Sequence, residues 1–476
     1  MIFITRLLAS SGVNGPLRDQ TFKETQMKLS KRQNRLDQNF FEAEGLDRHE
    51  IERIAFETGF CKRNSGKIKA PEFLIYFCLE SLKGTVSLND IASKMSADAD
   101  TDASRQAYQQ RMNAECHEFF KRILASVMAS KNRLENPNAA AESTRFSRIL
   151  VQDSTVVRLP LRLFEIFSGV KNAHTVKCNA RIQGTYDLLA KQFVDFSIDP
   201  YFRNDLAAAS DLKVEPGDLV LRDRGYFSVP TVRDLKEAGA DTIFRYKHKT
   251  KIYRAKSGEE INLLEYLEKN GSMDLEVLVG KEKYKVRMSA RPVDQETANL
   301  RRMRAKREMK GKNPSKELLS LMAWTIFITT IETEELTFES ILKLYGLRWR
   351  IENIFKTWKS HFSFDRIHNV SEKQLRVLLT ARLIMIVFIN QRLYGPLSEL
   401  AKKKSEKRIS LMKFTRFIRR NIDFIYKIIN IEKSPGKTLG TIVKYCTYDT
   451  RRRPNFETQL EQIILEMNEL DSSPLT

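Results

Sequence analysis

Asp153 and Asp223 close two β-branched, apolar runs, one in V-Q-D-S-T and the other in D-L-V-L-R-D before R-G-Y. Carboxylates are depleted in strands, and one at the end of a buried strand costs free energy unless it is paired, hydrogen-bonded or bound to a metal ion. A single such Asp reads as a turn residue that closes its strand, and a second weakens that reading. A third carboxylate, Glu352, stands in Y-G-L-R-W-R-I-E-N-I-F-K-T-W-K, residues 345–359. On a helical wheel with Tyr345 at zero, Arg348 lies at about 300°, Glu352 at about 340° and Lys359 at about 320°, a stripe roughly 60° wide. Leu344, Leu347, Ile351, Ile354, Phe355 and Trp358 fall between about 180° and 280°, so the stripe borders a buried face. One carboxylate edged by two cations and a phenol suits a negatively charged substrate. An Arg348 to Glu352 ion pair, with Lys356 as a further i+4 contact, accounts for the same helix and stabilises it by roughly a few tenths of a kcal/mol.

These residues need elements to hold them. Strands are expected at RILVQDSTVVRL (148–159), ARIQGTYDLL (180–189), QFVDFSI (192–198), DLVLRD (218–223) and DTIFRYKHKTKIY (241–253), with helices at NDLAAASDLK (204–213) and TVRDLKEAG (231–239). Short strands continue to about 333, including LEVLVG (275–280), YKVRMSA (284–290) and AWTIFITTI (323–331), broken by the basic stretch 301–312. A long helix begins near Thr337, an apolar helix spans 371–395, and 455–476 carries Leu460, Ile463, Ile464, Met467 and Leu470 at helical spacing, a packing or dimer face.

Ahead of the strands the pattern is helical. SLNDIASKM (87–95) opens on a Ser N-cap with Leu88, Ile91, Ala92 and Met95 on one face, and SRQAYQQRM (104–112) would expose Arg105, Gln106, Gln109, Gln110 and Arg111. Helix, turn and helix with such a second helix can read DNA bases, and two packed bundle helices give the same pattern. Trp324, at the start of its strand, reads first as a core anchor. His361 and His368 read as structural. S-P-G-K-T (434–438) lacks the earlier glycine of a phosphate loop, Ile431 standing there.

At 476 residues two or more domains are expected, and 42% hydrophobic content supports real cores. The net charge of +21 points to a polyanion, most often nucleic acid. Residues 401–453 hold 16 Lys or Arg against 4 Asp or Glu, and so supply +12 of it. The five cysteines form no C-x-x-C pair, which argues against a zinc ribbon or a disulfide framework and fits a reduced, intracellular chain. No export or membrane segment is evident: the first apolar run is interrupted by Arg6, and Leu383 to Ile389 is a third of a span.

Tyr345-x2-Arg348-x3-Glu352-x6-Lys359 resembles the Y-R-E-K signature of bacterial insertion-sequence transposases, the DDE transposases of the insertion sequence four family. Asp153 stands in the family's D-S-T context and Asp223 in its D-x-G-Y context; the intervals of 70 residues and then 129 also fit. The resemblance covers about 145–365 and implies an α/β fold: a ribonuclease H-like core split by a β-rich insertion, with helical N-terminal and C-terminal parts. It divides the chain into an irregular segment 1–40, a helical DNA-recognition domain 41–134, a first core part 145–240, the insertion 241–336, a second core part 337–400 with the catalytic helix, and a basic helical region 401–476. By resemblance Asp153, Asp223 and Glu352 are catalytic and hold two Mg2+ ions, with Mn2+ able to substitute, for cleavage and strand transfer of DNA phosphodiesters. Tyr345, Arg348 and Lys359 would grip phosphates. Trp324 would stack on a base flipped out near the transposon end, and Arg105 and Gln106 would read the terminal inverted repeats. Partners implied are double-stranded DNA with those repeats, target DNA and a second copy of the chain in a synaptic homodimer, with no membrane; the location implied is the bacterial cytoplasm, at the nucleoid. A stand-alone nuclease of this fold and an inactive DNA-binding relative are the competing readings.

Overall fold

The structure, a computed structural model, describes residues 46–63, 67–99, 101–129, 145–309, 313–421, 435–448 and 456–472. The irregular segment 1–40 lies outside them, as does part of the basic region from 401 onward. The chain divides into two compact units: Met1–Glu135, Val156–Ala180 and Phe355–Arg451 form one, and Asn136–Thr155, Arg181–Ile354 and Arg452–Thr476 the other.

The first unit is built on helices. Its N-terminal part runs through α1 (Arg48–Glu57), α2 (Ala70–Ser81), α3 (Leu88–Ala99), α4 (Arg105–Arg111) and α5 (Ala114–Ala129). Stacked and edge-on rings of Phe60, Phe73, Phe77, Phe119 and Phe120 fill the space between them. Ser87 caps α3 by accepting from the Asp90 N–H at 3.2 Å, and Ile91 and Met95 are buried, as the spacing requires. Arg105, Gln106, Gln109 and Gln110 are exposed, but Arg111 is not: its guanidinium turns inward to donate to the Phe60 carbonyl.

In the second unit the strands are β1 (Arg148–Leu159), β2 (Gly169–Asn172), β3 (Thr175–Asp187), β4 (Gln192–Pro200), β5 (Asp218–Arg222), β6 (Asp241–Arg245), β7 (Ile252–Arg254), β8 (Met273–Val279), β9 (Tyr284–Pro292) and β10 (Trp324–Thr329), β2 and the starts of β3 and the ends of β1 belonging to the first. The sheet order is β2-β3-β1-β5-β6-β10-β9-β8-β7, with β4 also on β3. β1, β5 and β6 pair in parallel. Such strands are covered on both faces, which is why Ile149–Val151 and Leu219–Leu221 are unbroken apolar runs. Parallel pairing needs a crossover, and α6 (Val229–Glu237) supplies it between β5 and β6. The order β4-β3-β1-β5-β6 is the ribonuclease H-like arrangement. Antiparallel β10, β9, β8 and β7 extend it, with α7 (Leu263–Asn270) and α8 (Gln295–Glu308) among them.

Four expectations change. Asp241–Arg245 lies in the parallel core and not in the insertion, because it is hydrogen-bonded to β5 along Leu219–Leu221. The stretch 204–213 makes only a single tight turn, Ala209–Asp211. The basic stretch after 301 continues a helix that starts at Gln295. The long helix from Thr337 is two: α9 (Phe338–Gly346) and α10 (Trp349–His361), broken at Leu347 and Arg348, whose N–H groups bond Leu344 and Tyr345 three residues back.

After α10 the first unit continues with α11 (Glu372–Val387), which leads through a wider turn of helix, Phe388–Tyr394, into α12 (Gly395–Ser405). The stretch Glu372–Ser405 is long and apolar enough to cross a membrane, but its apolar window is wholly buried in the protein and serves as the core of the helical unit. The C-terminal α13 (Phe456–Ser472) buries Leu460 and Ile463, packs on α9, and is tied to it by Lys343 and Glu466 at 2.6 Å; the apolar stripe therefore meets this chain's own helix.

Candidate active site

Register brings the two aspartates together. The parallel pairing of β1 with β5 starts at Arg148↔Asp218, locked by a two-pronged ion pair of 2.8 and 2.6 Å, and ends at Gln152↔Arg222. Asp153 and Asp223 are each the next residue, so they stand side by side where the parallel pairing stops, about 5 Å apart in backbone; Asp223 follows the end of β5, but Asp153 does not close its strand as expected, because β1 runs on to Leu159. Glu352 sits in the first turn of α10. Arg348, in the break between α9 and α10, places its guanidinium 2.8 Å from Glu352 and 3.6 Å from Asp153. The expected i+4 ion pair is therefore real, and it is one edge of a larger cluster.

The electrostatics follow from this crowding. Burial pushes the Asp153 carboxyl up to about 7; the Ser154 N–H and Arg348 pull it down, while Glu352 and Asp223 push it further up. Burial opposes the Arg348 charge, yet Tyr345, Asp153, Asp223 and Glu352 hold its pKa above the ordinary value. Arg348 is 5% exposed and its cation lies 5.7 Å over the Tyr345 ring and 5.2 Å over that of Trp349. Tyr345 is itself buried against Phe327, ring to ring at 5.3 Å, and burial raises its hydroxyl to about 12. Tyr345 and Arg348 thus belong to the cluster although no continuous helix carries them. Lys359 stands in the last turn of α10, where burial lowers its pKa and Asp365 is the carboxylate that acts on it.

Behind Asp153 lies a network that spacing did not reveal. Asp153 accepts the Ser154 N–H at 2.8 Å, and the Ser154 hydroxyl donates to Asp205 at 2.8 Å. Arg181 donates to both Ser154 (3.0 Å) and Asp205 (2.9 Å), and Gln183 donates to Asp205 at 3.4 Å while accepting from the Tyr226 hydroxyl at 2.6 Å. Ser154 and Tyr226 each come from one of the two aspartate motifs, and both are anchored on strand β3 and Asp205. A Cβ at Gly225 would come within 3.3 Å of the Asp205 Oδ2, so the glycine of D-R-G-Y lets Asp205 approach.

A cavity of about 420 Å³ opens beside Asp223. Arg224, Arg245, Arg301, Arg304 and Arg348 line it with Trp324, Tyr345 and the half-exposed Trp349. Burial and the neighbouring Arg301 lower Arg245 to about 10. Trp324 faces this cavity and also packs on the core of the insertion; its buried indole N–H has no partner among the described residues, and Arg301 holds its backbone carbonyl at 3.0 Å. Arg105 and Gln106 lie on α4 of the other unit. Among the described residues no three His, Cys, Asp or Glu side chains stand close enough to hold a metal ion as they are. The donors nonetheless suit a hard cation: three carboxylates, one desolvated, with Arg348 countering the charge, while His248, which lines the same cavity, faces Glu317 at 3.4 Å.

Aspartates side by side where two parallel strands stop pairing, with a glutamate on a following helix and a ribonuclease H-like sheet beneath, define a protein of the DDE class. The family described as Transposase DDE domain matches residues 144–388, over half of the chain, and the chain belongs to it: it is a transposase of the DDE family. It is 25% identical to the transposase for insertion sequence element IS231B of Bacillus thuringiensis subsp. berliner, over 80% of this chain and 84% of that protein. It is 26% identical to the transposase for insertion sequence element IS1151 of Clostridium perfringens, over 78% of this chain and 83% of that one. Both are elements of the insertion sequence four family. Among solved structures, the piggyBac transposase synaptic complex with hairpin DNA aligns over 87% of this chain and 86% of that chain, at 11% identity and a TM-score of 0.38.

Proposed function

We propose that the chain cuts and joins DNA at the ends of its insertion sequence, with Asp153, Asp223 and Glu352 as the catalytic carboxylates. The observation that carries this reading is the meeting of Asp153, Asp223 and Glu352 around Arg348, with the Asp153 carboxyl raised first by burial and then by Glu352 and Asp223. The three would hold divalent ions, Mg2+ in the cell and Mn2+ as a substitute. Bound there, the ions would supply activation of a water or a 3′ hydroxyl and stabilisation of the leaving oxygen. The chain's own residues do the rest. Arg348 aligns Asp153 with Glu352 and shields them from each other. Arg224, Arg245 and Arg304 offer donors to phosphates next to Asp223, Trp324 takes up an unstacked base, and Tyr345 and Lys359 contribute to the phosphate grip.

The remaining parts of this reading are the division of labour. Helices of 41–134, with Arg105 and Gln106, recognise the terminal inverted repeats; 241–336 is the insertion less its first strand; and two copies of the chain pair two ends and a target in the cytoplasm, on the nucleoid. The test is cleavage of DNA carrying the element's terminal repeats in Mg2+, with Asp153→Ala, Asp223→Ala and Glu352→Ala alongside. Loss of cleavage in all three is expected. Equal cleavage by variants and wild type removes the assignment, and cleavage with no joined product makes the protein a nuclease.

A further inference from the structure

A cavity of about 720 Å³ in the helical unit has no part in the chemistry described above. It is lined from four stretches of chain: Phe77 of α2, residues 86–112 with α3 and α4, the turn after β1 that carries Arg162, and residues 368–378. Two features set it apart. No Asp or Glu lines it, although 60 of the 476 residues are acidic. Among the described residues, most of its charged and amide side chains also keep donor groups without protein partners. Arg105, Gln109 and Asn369 bond no other side chain or backbone group, and Arg162 uses only its Nε, donating to the Val370 carbonyl at 2.6 Å, so both its terminal nitrogens are unengaged. Gln374 spends its carbonyl on the Ser371 N–H and keeps its amide donors, and the buried His368 Nδ1 has no partner.

Two arginines of the same unit are satisfied by carboxylates instead. Arg48 is paired with Glu52 and Glu72, and Arg53 with Glu50 and Glu57. A concave surface with two free guanidiniums, several free amides and no acid is rich in donors and poor in acceptors, so it fits a partner that brings acceptors and negative charge. The chain's DDE activity makes DNA the polyanion at hand. We infer that this cavity holds the sugar-phosphate backbone of a DNA strand, gripped by Arg105 and Gln109 from one side and by Arg162, Asn369 and Gln374 from the other. The DNA-binding surface of the helical unit is therefore composite: α4 supplies half of it, and the rest comes from segments that follow the Asp153 strand and the Glu352 helix in sequence.

Of the transposase reading, the inference uses only that the polyanion is DNA. The experiment is binding of the full chain to a duplex bearing the terminal repeat, followed by anisotropy across a salt series, with Asp153→Ala as a non-cleaving background. Arg105→Ala and Arg162→Ala should each weaken binding roughly tenfold at moderate salt and lower the salt slope by about one. Arg162→Lys keeps the charge but loses the bond to Val370, so it should retain the wild-type slope; this separates lost charge from a disturbed fold. Arg105 is exposed and unpaired, so its removal leaves the helix intact, and Arg53→Ala, which breaks a paired arginine of the same unit, should bind like wild type. Unchanged affinity and slope for Arg105→Ala and Arg162→Ala would overturn the inference. So would a loss confined to one base pair of the repeat at unchanged slope, which would make the occupant a base edge. In either case, end cleavage by Arg105→Ala and Arg162→Ala in the chain with Asp153 intact keeps the transposase reading and loses only this one.

Discussion

Arg348 and Arg382 are both almost sealed from water, at 5% and 0% exposure, yet the two units satisfy them in opposite ways. Arg382, on α11, meets backbone. Its guanidinium donates to the carbonyls of Ser81 and Phe364 at 3.0 Å each, to Arg366 at 3.0 Å, and to Gly84. Arg348 meets carboxylates that are themselves crowded by one another. A charge caged by carbonyls has partners that cannot leave without unfolding the chain. A charge set among carboxylates has partners that another cation can also satisfy. The first arrangement builds a joint; the second leaves the cluster open to exchange.

The sharpest way to break this comparison is at Arg382. Arg382→Ala leaves four buried carbonyls without a donor, which should destabilise the helical unit by about 3–5 kcal/mol. Hydrogen exchange of α2 and α11 amides reads the loss directly. Unchanged protection would show that the carbonyls find other donors and that the cage is not what joins these segments.

Arg348→Ala should do the reverse. Protection of the β1 and β5 amides should stay within about 1 kcal/mol of wild type, since the sheet is held by its ladder and by the Arg148 to Asp218 pair. DNA cleavage should fall by about 100-fold to 1000-fold, the size of losing one preorganised donor at a charge-bearing site. If stability and cleavage fell together, Arg348 would be another structural arginine and the contrast would collapse.

How far this was legible in the sequence depends on the distance over which each feature acts. The expected strand end at Asp153 was not readable, because β1 runs on with Thr155, Val157 and Leu159 buried on one face; the contexts of Asp153 and Asp223 were, being local, and the register that sets them side by side follows from two apolar runs of equal character. The i+4 link from Arg348 to Glu352 was readable for the same reason. The break at Leu347 and Arg348 was not, since the apolar spacing continues through it and only tertiary packing of Tyr345 on Phe327 and of Arg348 on the carboxylates favours a turn there. Asp205, Arg181 and Gln183 act across 22 to 51 residues of chain and carry no periodic signal. Ser154 and Tyr226 stood in plain view inside the quoted motifs, but their meaning needed the partner they share. Arg111 was expected at the surface because the wheel cannot show that Phe60 presents a carbonyl to it. Asp241–Arg245 was grouped with the insertion because a strand's partner is not written in its own residues.

Asp187 tests the same contrast with the sign of the charge inverted. Like Arg382 it is buried and faces backbone, with the N–H of Leu189 at 2.9 Å. Burial pushes its carboxyl up to about 6, against the pull of the Leu189, Ala190 and Ile149 amides. The folded value lies above the unfolded one, so the fold favours the protonated acid: its contribution is complete below about pH 4 and is lost as pH rises through about 6. Asp187→Asn cannot ionise. Its stability relative to wild type, from denaturant unfolding, should therefore rise by up to about 3 kcal/mol across that window. A flat difference would mean that the amides fully compensate for the buried charge, as the carbonyls do at Arg382.

The smallest effect concerns a carboxylate that belongs to neither type. Asp205 is paired with Arg181, as a structural acid would be, but through Ser154 it also holds the backbone that orients Asp153, and through Gln183 it reaches Tyr226 of the second motif. If it acts by positioning, Asp205→Ala should fold normally and still weaken Mn2+ binding about 10-fold to 100-fold, as loss of a partner behind a metal ligand does elsewhere. Electron paramagnetic resonance of Mn2+ reads that without reference to cleavage. Asp205→Asn keeps an acceptor for the Ser154 hydroxyl but gives up the charge that holds Arg181, so it should fall between the two. Equal Mn2+ binding by Asp205→Ala and wild type would assign Asp205 to the joint-building arginine pairs. Graded loss, smaller in Asn than in Ala, would place it with the exchangeable cluster, because only a ligand still free to respond to a cation gains from being held in line.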